Sequence, residues 1–266
     1  MSKINSSTPN YIKANRESWN ETAGVHLKHY VEELYEKIAD PEFTTFDKVE
    51  KGIFGDIGIE GKNVIQLCCN NGRELISVKK QGAAHCVGVD LSDQFIEQGQ
   101  KLSKRAGVEV EFIRSNVYEL PGLLKGQFDI VYITIGAMGW LPDIPAFFEI
   151  VASLLRTQGQ LFIYEIHPIL NMFDSEKGDI IEDSYFRKEP FVNDDDVDYF
   201  DPSKKIEAVS YWFPHRVADV IQGCINNGLK LTHFEEYTHD ISMTYKSFEQ
   251  YEKRLPLSYS LIAEKK

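Results

Sequence analysis

Short apolar runs alternate with amphipathic stretches over the middle of the chain, a pattern that predicts strands alternating with helices. Five runs have the length of buried strands: residues 64–68, 85–90, 109–114, 128–134 and 160–166. Three stretches between them have the spacing of helices: residues 72–80, 93–105 and 144–155. The run at 130–133 is apolar throughout, which is typical of a central parallel strand. The alternation predicts an α/β fold with a parallel sheet.

The two flanks of this core have other patterns. Residues 11–39 place aromatic and polar residues at three- and four-residue steps, which predicts an amphipathic helix, and a second helix is expected near 45–54. Residues 168–210 lose the periodicity and are rich in acidic and aromatic residues, which favours an ordered insertion. A helix at 214–227, a strand at 229–237 and an alternating segment at 256–264 complete the chain.

These patterns predict one domain with four parts. They are an N-terminal helical lid (1–60), a core (61–167), a cap inserted after the fifth strand (168–211) and the C-terminal part of the core (212–266). A chain of 266 residues is long enough to bury one core of this kind.

Composition narrows the possible partners. Apolar content of 42% and charged content of 26% are ordinary for a soluble protein. The net charge of −12 disfavours binding to a phosphate backbone, so we expect no nucleic-acid partner. No apolar run has the length of a membrane span, and the first ten residues lack the apolar centre of a signal peptide. We therefore expect a cytoplasmic protein without a membrane partner; its oligomeric state stays open.

The four cysteines do not indicate a metal site or a disulfide. Cys68 and Cys69 are adjacent, and neither Cys86 nor Cys224 lies at metal-ligand spacing from them. We expect small, buried, apolar side chains in a reducing compartment and predict no bound metal.

The residues at 63–74 and 86–92 carry the clearest sign of chemistry. The first stretch has the pattern of a strand, a tight turn at Gly72 and the start of a helix, which brings backbone N–H groups close to a ligand. The second is a strand that ends at Asp90, where a carboxylate can accept hydrogen bonds from both hydroxyls of a ribose. Together they predict a nucleoside pocket, although Asp90 could also serve only as a helix cap.

The turn at 66–72, QLCCNNG, resembles motif I of the class I S-adenosylmethionine-dependent methyltransferases, usually Asp/Glu-x-Gly-x-Gly-x-Gly. Gln66 stands in the place of the acid, and Cys68 and Asn70 stand in the places of the first two glycines. Glycine is favoured there because it adopts left-handed backbone angles freely, and Asn70 tolerates those angles better than most residues.

The resemblance continues along the chain. Asn116 and Val117 match the position that meets adenine, although Asn116 could be only a turn former, and Thr134-Ile135-Gly136 match the strand tip beside the methionine moiety. Residues 140–143 (WLPD) and 165–168 (EIHP) resemble a subgroup that acts on small molecules. The resemblance implies a Rossmann-like, doubly wound sheet of seven strands with an antiparallel last strand, and S-adenosylmethionine as cofactor. It implies these cofactor-binding residues: Trp19, Gln66, Cys68, Asn70, Gly72, Asp90, Leu91, Asn116, Val117, Thr134 and Gly136.

Trp19, Glu165 and His167 each have two interpretations, one functional and one structural. Trp19 is either a core aromatic of the first helix or a residue that lies over the cofactor. Glu165 and His167 lie where the fifth strand ends, beneath the predicted cap, which is where α/β active sites form. If the acceptor must lose a proton, His167 is the better base because its ordinary pKa is near neutral. Otherwise both are structural.

The function expected from these residues is methyl transfer from S-adenosylmethionine to a small-molecule acceptor. One alternative is a non-catalytic protein that keeps the fold with an altered motif I. A weaker alternative is an NAD-dependent oxidoreductase, which is disfavoured because pyrophosphate requires the missing glycines. The sequence leaves open the acceptor, the atom methylated and whether a base takes part.

Overall fold

A computed structural model describes most of the chain. The described residues are 8–26, 31–122, 124–174, 177–178, 180–194, 196–197, 203–242, 244–251 and 254–266. The helices are α1 (Thr8–His26), α2 (Glu32–Lys37), α3 (Lys48–Ile57), α4 (Arg73–Lys80), α5 (Asp93–Ala106), α6 (Ile144–Leu154) and α7 (Val217–Asn226). Within the described residues, no helix is long and apolar enough to cross a membrane.

The strands form one large sheet and two small ones. The large sheet contains β1 (Asn63–Leu67), β2 (His85–Asp90), β3 (Glu111–Arg114), β4 (Phe128–Thr134), β5 (Leu155–Ile166), β10 (Leu229–Tyr237) and β11 (Ser258–Lys265), in the order β10-β11-β5-β4-β1-β2-β3. The small sheets pair β6 (Phe191–Asn193) with β9 (Ser210–Trp212) and β7 (Asp196–Val197) with β8 (Lys205–Ile206).

The predicted topology of the large sheet is confirmed. β1 to β5 pair in parallel, whereas β11 runs antiparallel between β5 and β10. From β1 the chain continues to β2 and β3 on one side, whereas β4 and β5 lie on the other side. The connections that follow β1 and β4 therefore lead away from each other and leave a crevice above the carboxyl ends of these strands. Ligands of open α/β sheets bind at such a switch point.

Alternating side chains of the strands build a core on each face of the sheet. Val64, Ile130 and Tyr132 pack against α3 and α4, whereas Ile65 and Val131 face α6 and α7. This follows from the period of two along a strand, which sends neighbouring residues to opposite faces. Because helices cover both faces of the sheet, a ligand can reach it at the ends of the strands. The candidate site lies at their carboxyl ends.

Two boundaries differ from the sequence prediction. The single helix predicted for 11–39 is divided into α1 and α2, and residues 27–30 lie outside the described part of the chain. β5 begins at Leu155, directly after α6 and earlier than the predicted residue 160. The first residues of β5 pair with β4 in an irregular register, and Gln158 has a left-handed backbone angle (φ +63°). The sequence of this part therefore has the residues of a turn, and it was predicted as one.

Candidate functional site

A cavity of about 380 Å³ lies above the carboxyl ends of β1, β2 and β4. Ten of the eleven predicted cofactor-binding residues line it: Trp19, Gln66, Cys68, Asn70, Asp90, Leu91, Asn116, Val117, Thr134 and Gly136. The eleventh, Gly72, lies just behind the wall at the start of α4. The structure therefore brings these residues together around one space, and their contact with a cofactor stays a prediction.

The turn after β1 keeps a glycine-like path without most of the glycines. Cys68 and Asn70 have φ values of +53° and +52°, in the left-handed region that side chains usually avoid. Gly72 has φ +66°, and a Cβ on it would lie 2.4 Å from the ring of Phe112. Residue 72 therefore needs glycine for two reasons, its backbone angle and the close packing of Phe112. Residues 68 and 70 share only the left-handed backbone angle.

The backbone N–H groups of this turn are already used. Cys69 donates to the carbonyl of Val89 (2.9 Å), and Gly72 donates to the carbonyl of Cys69 (2.8 Å). Asn70 N donates to Asp90 Oδ2 (2.7 Å), and Asn71 N donates to the Oδ1 of Asn70 (2.7 Å). A pyrophosphate is held by free N–H groups at this position, and these four consecutive groups have protein acceptors.

Asp90 sits at the tip of β2 on the wall of the cavity. Its carboxylate accepts from Asn70 N and, through Oδ1, from Ser92 N at 2.9 Å, which holds it beside the turn. Burial raises the pKa of Asp90 to about 6, and the N–H groups that it accepts oppose this rise. A ligand that donates two hydroxyl hydrogen bonds to this carboxylate would offset the cost of burying it.

An apolar slot adjoins Asp90. Leu91, Phe95 and Val117 line it, and Asn116 stands at its edge. Asn116 Oδ1 accepts from Tyr118 N at 3.2 Å, which fixes the amide while its second lone pair remains available. A flat, mostly apolar base fits between such side chains.

Gln66 forms part of the floor of the cavity. Its side chain is 1% exposed, and among the described residues its Oε1 has no hydrogen-bond partner. A buried amide oxygen without a donor costs about 1–3 kcal/mol, so the position favours a ligand that supplies one. The ammonium group of the methionine moiety of S-adenosylmethionine is such a donor, and the residues present fit this cofactor.

The tip of β4 is held by a buried carboxylate. Ile135 and Gly136 have φ values of +39° and +74°, so the chain turns sharply at the cavity wall. Glu165, 2% exposed, accepts from the N–H groups of Gly136, Met138 (3.0 Å) and Ile166 (2.8 Å). Burial raises the pKa of Glu165, and these N–H groups oppose the rise. Its oxygens therefore shape the turn, and Glu165 does not line the cavity.

His167 also lies outside the cavity wall. Its Nδ1 accepts from Ile169 N at 3.1 Å, and its Nε2 lies 2.9 Å from the carboxylate of Glu236. An Nδ1 that accepts places the ring proton on Nε2, which then donates to Glu236. Burial lowers the pKa of His167, and Glu236 opposes that shift. With both nitrogens engaged, the geometry favours an orienting role over the base role expected from the sequence.

Helix α1 and the cap strand β9 cover the open side of the cavity. Asn15 Nδ2 donates to the carbonyl of Tyr211 (3.0 Å), and Tyr211 N donates back to Asn15 Oδ1 (2.7 Å). Nearly two turns further along α1, Glu21 accepts from the N–H groups of Glu207 and Ala208, both at 3.0 Å. The two segments are thereby joined along one side of the cavity.

Trp19 lies inside this cover, within 4.9 Å of Trp140 and 5.7 Å of Phe95 between ring centroids. Trp140 in turn lies 5.2 Å from Trp212 of β9. Trp140 and Trp212 were not among the predicted site residues. The tryptophan of the WLPD segment and the aromatic content of the cap were the signals that could have identified them.

Comparisons with known proteins agree with this geometry. A family model described as a methyltransferase domain matches residues 64–159. An uncharacterised protein of Haemophilus influenzae is 27% identical over 56% of this chain and 61% of its own length. A ubiquinone biosynthesis O-methyltransferase of Neisseria meningitidis is 30% identical over 43% of this chain and 48% of its own length. The chain thus spans about half to three fifths of the curated relatives that it matches.

Solved structures share the fold at low identity. A putative S-adenosylmethionine-dependent methyltransferase of Listeria monocytogenes has a TM-score of 0.59 at 17% identity, covering 82% of this chain and 99% of its own. Geranyl diphosphate C-methyltransferase of Streptomyces coelicolor, solved with S-adenosylhomocysteine, has a TM-score of 0.61 at 13% identity, covering 96% and 98%. The subgroup predicted from residues 140–143 and 165–168 stays a prediction. Residues 64–159 are therefore similar to a methyltransferase domain, and the chain has the fold that S-adenosylmethionine-dependent methyltransferases share.

Proposed function

We propose that this protein transfers a methyl group from S-adenosylmethionine to a small-molecule acceptor. The observation that carries the proposal is a single cavity that runs from Asp90 to Trp212 beneath α1. One end has the carboxylate and apolar side chains of a nucleoside site, and the other end, lined by Trp140 and Trp212, is where we assign the acceptor. Helix α1 and β9 border this cavity and are joined by hydrogen bonds, which favours a small acceptor over a macromolecular one.

The protein contributes binding and positioning. Asp90 holds the ribose, Gln66 accepts from the methionine end, and the turn at Ile135–Gly136 places the transfer point near Trp140. When bound, the cofactor supplies the methyl group: its carbon–sulfur bond breaks with the electron pair staying on sulfur, while an acceptor lone pair forms the new bond. Because Glu165 and His167 do not line the cavity, proximity and exclusion of water are the contributions that we assign to the chain.

The substitutions in motif I support one alternative, a protein that binds the cofactor without transferring its methyl group. Incubating the purified chain with S-adenosylmethionine labelled on the methyl group and, in separate samples, with the low-molecular-weight and the macromolecular fraction of a cell extract tests both. We expect label to pass into a small extracted compound, with S-adenosylhomocysteine formed in equal amount. Label in the macromolecular fraction alone would contradict the small-molecule proposal. Binding without transfer in either fraction would favour the alternative.

A further inference from the structure

All three tryptophans of the chain line the same cavity. They come from three separate elements: Trp19 from α1, Trp140 from the short 3-10 turn Met138–Trp140, and Trp212 from β9. Each is only partly buried, unlike the large aromatics of the sheet core, and adjacent pairs meet edge to face at 4.9 and 5.2 Å. Each indole therefore keeps part of its surface open and borders the space where an acceptor would bind.

Trp212 is held in place by contacts on several sides. Its Nε1 donates to Asn171 Oδ1 at 2.9 Å, and the next residue, Phe213, donates its N–H to the carbonyl of Gly139 at 2.7 Å. Gly139 lies directly against the indole, where a Cβ would be 2.2 Å from the ring. The ring is thus preorganised, and the absence of a side chain at residue 139 is required for its position.

The elements that carry Trp140 and Trp212 contribute no acidic or basic side chain to the described wall of this cavity; Glu165 and His215 line, with Trp212, a smaller neighbouring pocket. In the described part of the chain, the acidic, basic and histidine side chains of the cavity wall are His26, Arg73, Glu74 and Asp90. They belong to the end of α1, the start of α4 and the tip of β2, and not to the elements that carry Trp140 and Trp212. The neighbours at the tryptophan end are mainly apolar: Ile12, Ala137, Leu141, Pro142 and Ile166.

This combination selects among classes of acceptor. A carboxylate buried at the tryptophan end would have no cation to pair with, which disfavours an anionic molecule. A cationic group would be attracted to the indole faces, but close to the transferred methyl group it would repel the sulfonium of the cofactor. An aromatic ring gains edge-to-face contacts with indoles beyond the burial of its area, which a saturated molecule of equal size does not.

We propose that the acceptor is an uncharged, planar aromatic molecule whose ring lies against Trp140 and Trp212 and whose ring substituent receives the methyl group. The substituent's lone pair forms the bond to carbon, the cofactor sulfur keeps the electrons of the broken bond, and a proton on the substituent leaves to water. This inference rests on the proposed function and names the acceptor class for that same site.

Titration of the full chain, saturated with S-adenosylhomocysteine, with three matched probes tests the acceptor class. The probes are β-naphthol, its saturated analogue decahydronaphthol and its anionic analogue hydroxynaphthoate, and calorimetry gives each dissociation constant. We expect β-naphthol to bind about tenfold more tightly than either analogue, from two added aromatic contacts. Equal or tighter binding of either analogue would overturn the inference. Failure of S-adenosylhomocysteine to bind would instead overturn the proposed function.

A glycine variant tests the site itself. Gly139→Ala adds a Cβ that displaces the Trp212 indole, and Trp212→Leu removes the ring. We expect each to weaken β-naphthol binding about tenfold, with S-adenosylhomocysteine affinity within about twofold. Trp212→Phe, which keeps a ring, should recover most of the affinity. The matched control is Gly55→Ala, since a Cβ there meets nothing within 4 Å. Unchanged β-naphthol binding in Gly139→Ala and Trp212→Leu, or loss of S-adenosylhomocysteine binding in Gly139→Ala, would overturn the inference.

Discussion

The two ends of the cavity are built in different ways. The nucleoside end comes mainly from one stretch of chain, residues 66–117, with contacts such as Asn70 N to Asp90, and α1 reaches it where Ser92 donates to Asn20. The tryptophan end joins α1, the turn after β4 and the cap, and its amide pair from Asn15 to Tyr211 spans 196 residues. A local end is fixed by turn and strand geometry, whereas a non-local end depends on the packing of the whole fold.

The largest expected effect separates the two ends at Asp90. Asp90→Ala should weaken S-adenosylhomocysteine binding by about 1.5–3 kcal/mol, the range for hydrogen bonds to a charged group. Binding of β-naphthol at the tryptophan end should change little. Calorimetry measures both, and Asp56→Ala, an exposed position on α3, is the control. An unchanged S-adenosylhomocysteine constant in a folded Asp90→Ala protein would remove the ribose assignment.

A second test of the nucleoside end uses pH. Because burial raises the pKa of Asp90 to about 6, the free protein protonates this group as pH falls through that value. Two ribose hydroxyls require the ionised carboxylate, so affinity for S-adenosylhomocysteine should be full at pH above 7 and decline below 6. The same raised pKa means that the ionised group costs folding stability above pH 6 and that protonation relieves this cost. Asp90→Asn should flatten the binding profile, and a profile unaltered by that change would contradict the assignment.

Glu165→Gln tests the turn after β4, which lies between the nucleoside end and the tryptophan end of the cavity. The amide would present a donor to one of the N–H groups of Gly136, Met138 or Ile166, leaving a buried mismatch. We expect a loss of about 1–3 kcal/mol in the free energy of unfolding, measured in urea. Glu149→Gln, exposed on α6, is the control and should be neutral. Full stability with abolished turnover would restore the catalytic role expected from the sequence.

His167 should have a smaller effect on activity. With its Nδ1 accepting from Ile169 and its Nε2 donating to Glu236, His167→Gln should lower turnover by less than about tenfold. The acidic limb of the pH profile should remain. A fall of about 10²-fold together with loss of that limb would show that the ring acts as a base after all.

The smallest effect concerns the backbone of the turn. Since Cys68 already has a left-handed φ, Cys68→Gly should keep S-adenosylhomocysteine affinity within about twofold. Cys68→Val should cost about 1–2 kcal/mol of stability because a β-branched side chain opposes that angle. Thermal unfolding of both variants checks this. Equal stability of the two variants would contradict a left-handed backbone angle at residue 68.

The nucleoside end and the tryptophan end also differ in how much of each could be predicted from the sequence. The strands and helices of the core were predictable because apolar runs and the turn at Gly72 express local geometry, whereas the antiparallel last strand was expected only from the resemblance to the methyltransferases. The residues assigned to the nucleoside end line one cavity, and their contact with a cofactor stays a prediction. Trp140 and Trp212 were missed because contacts between elements distant in sequence bring Trp140 beside Trp19 of α1 and Trp212 of β9 beside Trp140. His167 and Glu165 were placed correctly at the end of β5. Their partners, Glu236 and three backbone N–H groups, could not be seen without the neighbouring strand and turn.

The most direct test of the cofactor assignment is a calorimetric titration of the unmodified chain with S-adenosylhomocysteine and, separately, with NAD. The N–H groups of residues 69–72 are used within the protein, so the turn has none of these donors left for a pyrophosphate. We predict one-to-one binding of S-adenosylhomocysteine, weakened in Asp90→Ala, and no binding of NAD. Binding of NAD, or no heat with S-adenosylhomocysteine, would contradict the cofactor site described above.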